Sequence, residues 1–385
     1  MRRLLAIVLS LGLLAAACGD DSDAADTATT TTTVPTTTEA PAMTSTTTTT
    51  TEAPPEVTGL DYAEIGPYPV GVTTRTLPSG TRMEVWYPSG PDAVDQTDTY
   101  SVRDFTPEVM RVLVPEGTND RFTVNAGRDA SASPVGPFPL VYFSHGSTSF
   151  RFQSTTLTHH LASWGMVVAS VDHVSRSLPG MLGRPDGLPS SVDDIDEAAL
   201  ILFTDETLAA MIDAERIGIS GHSAGGGTTL AVAAQGDIDG YVSYASAASA
   251  DGDLPDVPSL FMAGSIDTIV PPDRTRDAFD RAPAPSWYLE FADSGHLAFS
   301  DLCVVGDGDA NLIGLAEAAG LGDFLTDGIR RLGSDGCEPP NRPVKEVWPA
   351  IHQATTGFFL WVFGVDPEPL GLDEFTVDGI TVESS

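Results

Sequence analysis

Residues 221–225 read Gly221-His222-Ser223-Ala224-Gly225, and the elements on either side of this stretch decide the fold. The apolar run at 216–220 predicts a strand, and the run at 228–235 predicts a helix. A serine at the apex of a strand-turn-helix unit matches the G-x-S-x-G elbow, which lifts the hydroxyl clear of the sheet. The flanking glycines lack the Cβ atoms that would collide with neighbouring elements. A glycine-rich turn with an idle serine is the simpler alternative.

Two later loops supply the carboxylate and the imidazole that an activated serine needs. The strand pattern at 258–263 runs into a loop that holds Asp267, and the pattern at 287–291 runs into a loop that holds His296. The chain order Ser223, Asp267, His296 is that of α/β-hydrolases and differs from the chymotrypsin and subtilisin orders. The alternatives are an ordinary loop or N-cap aspartate at Asp267 and a surface histidine at His296.

A third loop predicts where a negatively charged oxygen would be stabilised. The strand pattern at 138–143 enters Ser144-His145-Gly146-Ser147, and such a loop lies beside the elbow when its strand neighbours the nucleophile strand. The backbone N–H groups of Ser147 and Ala224 are the predicted oxyanion donors. Losing one donor of this type costs about 3 kcal/mol of transition-state stabilisation. A plain turn at the strand exit is the alternative for His145-Gly146.

Strand patterns alternate with helix patterns along the rest of the chain, which predicts an α/β fold whose mostly parallel central sheet is flanked by helices. Further strands are predicted at 81–87, 121–124, 166–171 and 241–245, and helices at 154–164, 193–212 and 347–363. Residues 375–382 resemble a terminal strand or a tail. The last helix pattern is interrupted by Pro349 and His352, which favours core packing over a membrane role.

Three of these segments carry a family resemblance. His145-Gly146, residues 161–173 and residues 221–227 resemble bacterial α/β-hydrolases related to platelet-activating-factor acetylhydrolase, dienelactone hydrolase and the cutinase-like polyesterases. The similarity spans roughly residues 77–363. It implies a serine hydrolase that cleaves carboxylic esters through an acyl-enzyme, with His296 as base and Asp267 as its orienting acid. Neither a cofactor nor a metal is expected, because no Cys/His cluster has zinc-ligand spacing.

The sequence departs from parts of this group. In the acetylhydrolase branch the acid tends to follow the strand after the nucleophile helix, but residues 246–249 carry no carboxylate, and Asp267 resembles the polyesterase placement. Dienelactone hydrolase itself uses a cysteine, so Ser223 argues against that chemistry. Two alternatives to an ester hydrolase remain. One is a peptidase or acyltransferase that uses the same residues, and the other is a catalytically silent surface-binding homologue.

The amino terminus has the layout of a bacterial export signal. Residues 1–18 comprise two arginines, a short apolar core and a lipobox-like stretch that ends at Cys18, which predicts a signal peptide and lipid attachment at that cysteine. Plain secretion is the alternative. Residues 19–58, rich in Thr, Pro and Asp, predict a disordered linker, compatible with glycosylation, because they hold almost nothing to bury. Residues 59–385 are then the catalytic domain of an extracytoplasmic protein held at the cell surface.

The two remaining cysteines, Cys303 and Cys337, suggest a disulfide in an exported protein. It would close a loop of about 35 residues and contribute about 3 to 4 kcal/mol in the chain-entropy model. Two buried free thiols are the alternative. This loop and residues 175–191 are candidate walls of the substrate pocket, or else surface loops.

The net charge of -35 argues against a nucleic-acid partner, because phosphate contacts require Lys and Arg. Solubility or adaptation to salt accounts for the acidity. The expected partner is a small-molecule, lipid or polymer ester, and the only expected membrane contact is the amino-terminal lipid. The sequence gives no indication of oligomeric state, acyl chain length or alcohol group.

Overall fold

The main feature of the fold is a ten-stranded sheet. The computed structural model describes residues 61–105, 111, 121–177, 187–249, 252–305, 311–318, 320, 322–372 and 378–385. The predicted signal peptide, Cys18 and the linker at 19–58 lie outside these residues. The strands are β1 Val70–Thr76, β2 Arg82–Pro88, β3 Asp98–Ser101, β4 Arg121–Val124, β5 Gly127–Arg128, β6 Phe138–Ser144, β7 Val167–Val171, β8 Ile212–His222, β9 Gly240–Tyr244, β10 Ser259–Gly264, β11 Ser286–Phe291 and β12 Ile380–Ser384.

The strand order is β12-β11-β10-β9-β8-β6-β7-β2-β1-β5, and β3 pairs with β4 in a separate two-stranded sheet. From β11 to β7 all neighbours are parallel, whereas β12, β2 and β1 join by antiparallel pairing. Parallel strands place their carboxyl ends at one edge, where ligands bind in open α/β sheets. The predicted α/β-hydrolase fold is confirmed.

Helices connect the central strands. Within the described ranges they are α1 Val102–Phe105, α2 Thr155–Ser163, α3 Ser191–Thr204, α4 Glu206–Met211, α5 Ala224–Ala233, α6 Pro272–Arg281, α7 Leu312–Ala318, α8 Asp327–Ser334 and α9 Val344–Val362. None of these described helices is long and apolar enough to cross a membrane. Every residue of β6, β7 and β9 is buried, as expected for strands covered on both faces.

The structure corrects the prediction of one helix over 193–212. Helix α3 ends at Thr204 and α4 begins at Glu206, because the carboxylate of Asp205 accepts hydrogen bonds from the N–H groups of Thr207 and Leu208 and caps a new helix. Ile212 already belongs to β8, which begins earlier than the predicted strand.

Two strand predictions need adjustment. The strand at 121–124 forms, but it pairs with β3 outside the main sheet. The predicted strand at 375–382 is observed as Ile380–Ser384, with residues 373–377 outside the described residues. Strand β1 pairs with β2 and extends the sheet on that side, and the sequence patterns do not predict it.

Candidate active site

Ser223 occupies the sharp turn between β8 and α5. Its backbone has φ 57° and ψ -122°, in the left-handed half of the map that a non-glycine residue enters at a cost of about 1 to 3 kcal/mol. The Ser223 N–H donates to the carbonyl of Tyr244 at the end of β9, 2.9 Å away, which helps to hold this conformation. The predicted elbow geometry is therefore present, with the serine at its apex.

The two glycines of the motif are required by close backbone contacts. A Cβ at Gly221 would lie 2.3 Å from the carbonyl oxygen of Gly225, and a Cβ at Gly225 would lie 1.9 Å from the carbonyl oxygen of Ser144. Real Cβ atoms do not approach oxygen this closely, so any side chain here would force the strand and helix apart. The two glycines of the G-x-S-x-G pattern are thus required because α5 packs so closely against β8 and β6.

Asp267 and His296 form a hydrogen-bonded pair in the loops after β10 and β11. The Nδ1 atom of His296 lies 2.8 Å from Oδ2 of Asp267, and both residues are almost fully buried, with exposures of 1% and 4%. The other carboxylate oxygen accepts from the N–H groups of Ile269 and Val270, each 2.8 Å away. These contacts hold the carboxylate in place to accept a hydrogen bond from Nδ1, so that in the neutral ring Nε2 is the nitrogen that can accept a proton.

The Nε2 atom of His296 is buried and has no hydrogen-bond partner among the described residues. The hydrogen bond between this nitrogen and the Ser223 hydroxyl is thus unmade. His296 nevertheless lies next to the elbow, because Nε2 of His222 donates to its carbonyl oxygen at 2.9 Å. The two imidazole rings are 4.6 Å apart between centroids. Serine–histidine hydrogen bonds are often long in resting enzymes and tighten in the substrate complex.

The glutamine Gln153 connects the oxyanion loop to the elbow. Its Oε1 atom accepts from the Gly146 N–H at 2.7 Å, and its Nε2 atom donates to Nδ1 of His222 at 2.9 Å. Burial lowers the pKa of His222 well below its usual value, an effect that the neighbouring His296 reinforces, so His222 remains neutral. A Cβ at Gly146 would lie 3.3 Å from Cβ of Ser223, which places this loop directly beside that serine.

The two predicted oxyanion donors lie in the loop after β6 and in the first turn of α5. Ala224 is the first residue of α5, and the first N–H groups of a helix have no partner within it. Ser147 lies between Gly146, whose N–H binds Gln153, and Thr148, whose N–H donates to the carbonyl of Arg176 at 2.7 Å. In the described part of the chain no acceptor binds the Ser147 N–H.

Arg176 is a residue of this site that the sequence did not reveal. Its guanidinium donates to Oγ of Ser144 at 2.7 Å, to Oγ1 of Thr228 at 2.6 Å and to the carbonyl of Ala224 at 3.3 Å. Burial lowers its pKa to about 9, opposed by the nearby carboxylate of Asp194, so it stays cationic at neutral pH. It therefore joins the strand before the oxyanion loop to the first turn of α5.

A second Ser–His–Asp chain lies beneath the oxyanion loop. The Ser144 hydroxyl is 2.9 Å from Nε2 of His173, and Nδ1 of His173 is 3.0 Å from Oδ2 of Asp194. All three side chains are fully buried, and burial and Arg176 lower the pKa of His173 well below its usual value. These three side chains have no access to substrate. We interpret them as residues that hold Arg176 in place through its hydrogen bond to Ser144.

The structure joins Cys303 to Cys337 by a disulfide, with their Cα atoms 4.9 Å apart. The enclosed segment carries α7 and α8, neither of which contains a buried residue. Residues 306–310 of this segment, and residues 178–186 of the other candidate pocket wall, lie outside the described residues.

Asp301, five residues after His296, is a carboxyl group whose ionisation opposes folding. Burial raises its pKa to about 7, although the Thr156 N–H donates to its Oδ2 at 2.8 Å. A raised folded-state pKa means that the folded protein retains a proton that the unfolded chain releases above about pH 4. This contribution to stability is therefore complete at low pH and is lost as pH rises through about 7.

Asp301→Asn, which resembles the protonated acid, should consequently gain stability relative to wild type as pH rises. Urea unfolding at pH 4 and pH 8 should show a relative gain on the order of 4 kcal/mol, with the variant favoured at the higher pH. An identical difference at both pH values would show that Asp301 ionises normally.

Two known protein families and a solved structure are similar to this chain. A sequence model of the PET hydrolase-like family matches residues 128–345, more than half of the 385 residues. A model of platelet-activating factor acetylhydrolase, isoform II, matches residues 62–179. Among solved structures, a ferulic acid esterase from Streptomyces cinnamoneus is similar with a TM-score of 0.59 and 20% identity, over 83% of this chain and 97% of that one. At this identity the structural likeness concerns the fold alone.

Proposed function

The chain belongs to the PET hydrolase-like family, a group of α/β-hydrolase esterases, and we therefore propose that it cleaves carboxylic esters through an acyl-enzyme on Ser223. The observation that carries the proposal is the Asp267–His296 hydrogen bond, which leaves Nε2 of a buried imidazole unpartnered beside the elbow serine. Acid, base and nucleophile each lie in a loop at the carboxyl end of a parallel strand.

In the proposed mechanism, Nε2 of His296 accepts the Ser223 proton while Oγ attacks the ester carbonyl. The N–H groups of Ser147 and Ala224 bind the oxyanion of the tetrahedral intermediate. The imidazolium, stabilised by Asp267, then donates its proton to the departing alkoxide. Water attacks the acyl-enzyme by the same route, which releases the acid and restores the serine. These steps use only side chains and backbone amides of this chain.

A substrate panel tests the reaction class. Purified protein is assayed with short-chain and long-chain p-nitrophenyl esters, a polymeric ester, peptide substrates and an acyl-transfer assay with a competing alcohol. We expect hydrolysis of esters and no cleavage of peptides. Peptide cleavage or dominant transfer would favour a peptidase or acyltransferase. Inactivity in every assay, together with no labelling by a fluorophosphonate, would favour a silent surface-binding homologue.

For the amino terminus we propose export with lipid attachment at Cys18, so that the catalytic domain is held at the outer face of a membrane by the lipid alone. The support is the sequence of residues 1–18 and the linker that follows them. The full chain, expressed in a bacterium that is fed a labelled fatty acid, should incorporate the label and partition into detergent. Cys18→Ala should abolish both properties, and label that persists in this variant would contradict the proposal.

A further inference from the structure

The carboxylate of Asp335 bridges the acid loop and the base loop of the proposed triad. Its Oδ1 atom accepts from the backbone N–H of His296 at 2.6 Å. Its Oδ2 atom accepts from the backbone N–H of Thr268, the residue after Asp267, at 3.1 Å, and also from the Thr268 hydroxyl. One side chain thus binds the backbone of the base itself and the backbone next to the acid.

Glycines on both sides of this contact allow Asp335 to lie close to the loop that carries His296. A Cβ at Gly295, the residue before the base, would lie 2.5 Å from Oδ1 of Asp335 and 2.6 Å from the backbone nitrogen of Gly336. Gly336 itself has φ 104°, in the left-handed region that favours glycine. The carbonyl of Asp335 also accepts from the N–H of Leu297 at 2.7 Å. Side chain and backbone of this residue therefore hold two consecutive amides of the base loop.

Asp335 is in turn fixed to the rest of the protein on both sides. Its N–H donates to the carbonyl of Arg331 at 3.0 Å, which places it at the end of α8. Two residues later, Cys337 is bonded to Cys303, which follows the base loop along the chain. The disulfide thus links the segment that carries Asp335 covalently to the chain beside the His296 loop, which Asp335 binds.

From these contacts we infer that Asp335 is a positioning residue, which sets the distance between the Asp267 carboxylate and the His296 imidazole by tying their two loops together. The inference rests on the proposed function, because it assigns Asp335 to the orientation of that triad. Displacement of a catalytic group by about 1 Å costs about 100-fold in rate, so loss of the bridge should appear in the chemical step more than in substrate binding.

The test compares Asp335→Ala, Asp335→Asn and wild type on a soluble p-nitrophenyl ester. End-point labelling with a fluorophosphonate counts the folded sites, so kcat is expressed per labelled site and lost folding is not mistaken for lost catalysis. Asp335→Ala should lower kcat per site about 10- to 100-fold with KM near the wild-type value. Asp335→Asn keeps one oxygen for the His296 N–H, and its NH₂ group can donate to the Thr268 hydroxyl, so the bridge remains and most of the rate should be recovered.

Asp92→Ala is the matched control, because Asp92 likewise accepts from a distant backbone N–H, that of Ser131 at 2.8 Å, but in a short 3₁₀ helix outside the site. It should leave kcat per site unchanged. Where Asp335→Ala does not fold, Asp335→Ser replaces it, since a serine side chain is too short to bridge both loops, and the same loss is expected.

An active wild type with kcat per site unchanged in Asp335→Ala or Asp335→Ser would overturn this inference alone. So would an Asp335→Asn variant as impaired as Asp335→Ala, because the bridge that asparagine retains would then not be what positions the base. A wild type without Ser223-dependent ester hydrolysis would instead remove the proposed function, and this inference with it.

Discussion

Ser223→Ala is expected to reduce kcat for p-nitrophenyl butyrate by about 10⁴- to 10⁶-fold, the loss found when a nucleophilic serine is removed from a triad. The physical reason is that no other group at the elbow could form the acyl-enzyme, while His296 and Asp267 alone have nothing to activate except water. Melting temperature should change little, because an alanine at this position can take the same turn between β8 and α5. Steady-state kinetics and a thermal melt on the same preparations measure both quantities.

Ser249→Ala is the control for this variant, because Ser249 is an exposed serine outside the triad loops. Its rate should equal that of wild type. Ester hydrolysis retained in Ser223→Ala within tenfold of wild type would show that another group carries the reaction.

Asp267→Asn is expected to lower kcat by about 10⁴-fold without unfolding the protein. The Ile269 and Val270 N–H groups both face one oxygen of this side chain, so the amide oxygen of asparagine should take that position. Its NH₂ group then faces Nδ1 of His296 and donates to it. The imidazole must carry its proton on Nε2, where it cannot accept the proton of Ser223.

The pH-rate profile and thermal melt of Asp267→Asn separate this tautomer effect from a loss of structure. The melting temperature should stay near that of wild type, since both backbone amides keep an acceptor. Asp273→Asn is the control, because Asp273 is an exposed residue in the first turn of α6 and should retain full activity. A rate for Asp267→Asn within tenfold of wild type would remove Asp267 from the mechanism.

The sequence was informative where local chemistry dictates local structure. An apolar run followed by G-x-S-x-G predicts strand, elbow and helix, because only glycines tolerate the contacts at Gly221 and Gly225. The loops of Asp267 and His296 follow apolar runs that must be buried as strands, so their meeting at one edge of the sheet follows from parallel topology. These predictions required no knowledge of distant contacts.

The supporting residues could not be found in this way. Asp335 lies 39 residues after His296 in the sequence. Nothing in the composition of the intervening segment indicates which carboxylate binds the backbone of His296. Arg176 follows β7 and acquires its partners only when β6 and α5 pack beside it. In contrast, the break between α3 and α4 had a local signal, because Asp205 is a favourable N-cap residue placed inside a pattern read as a single helix.

Covalent labelling tests whether Ser223 is an activated nucleophile. The folded wild-type protein is treated with a fluorophosphonate, digested, and its modified peptide is sequenced by mass spectrometry. One adduct on Ser223, formed much more slowly in Asp267→Asn, is the result that these contacts predict. A folded protein that takes up no label, or that carries the label on another serine, would contradict the assignment.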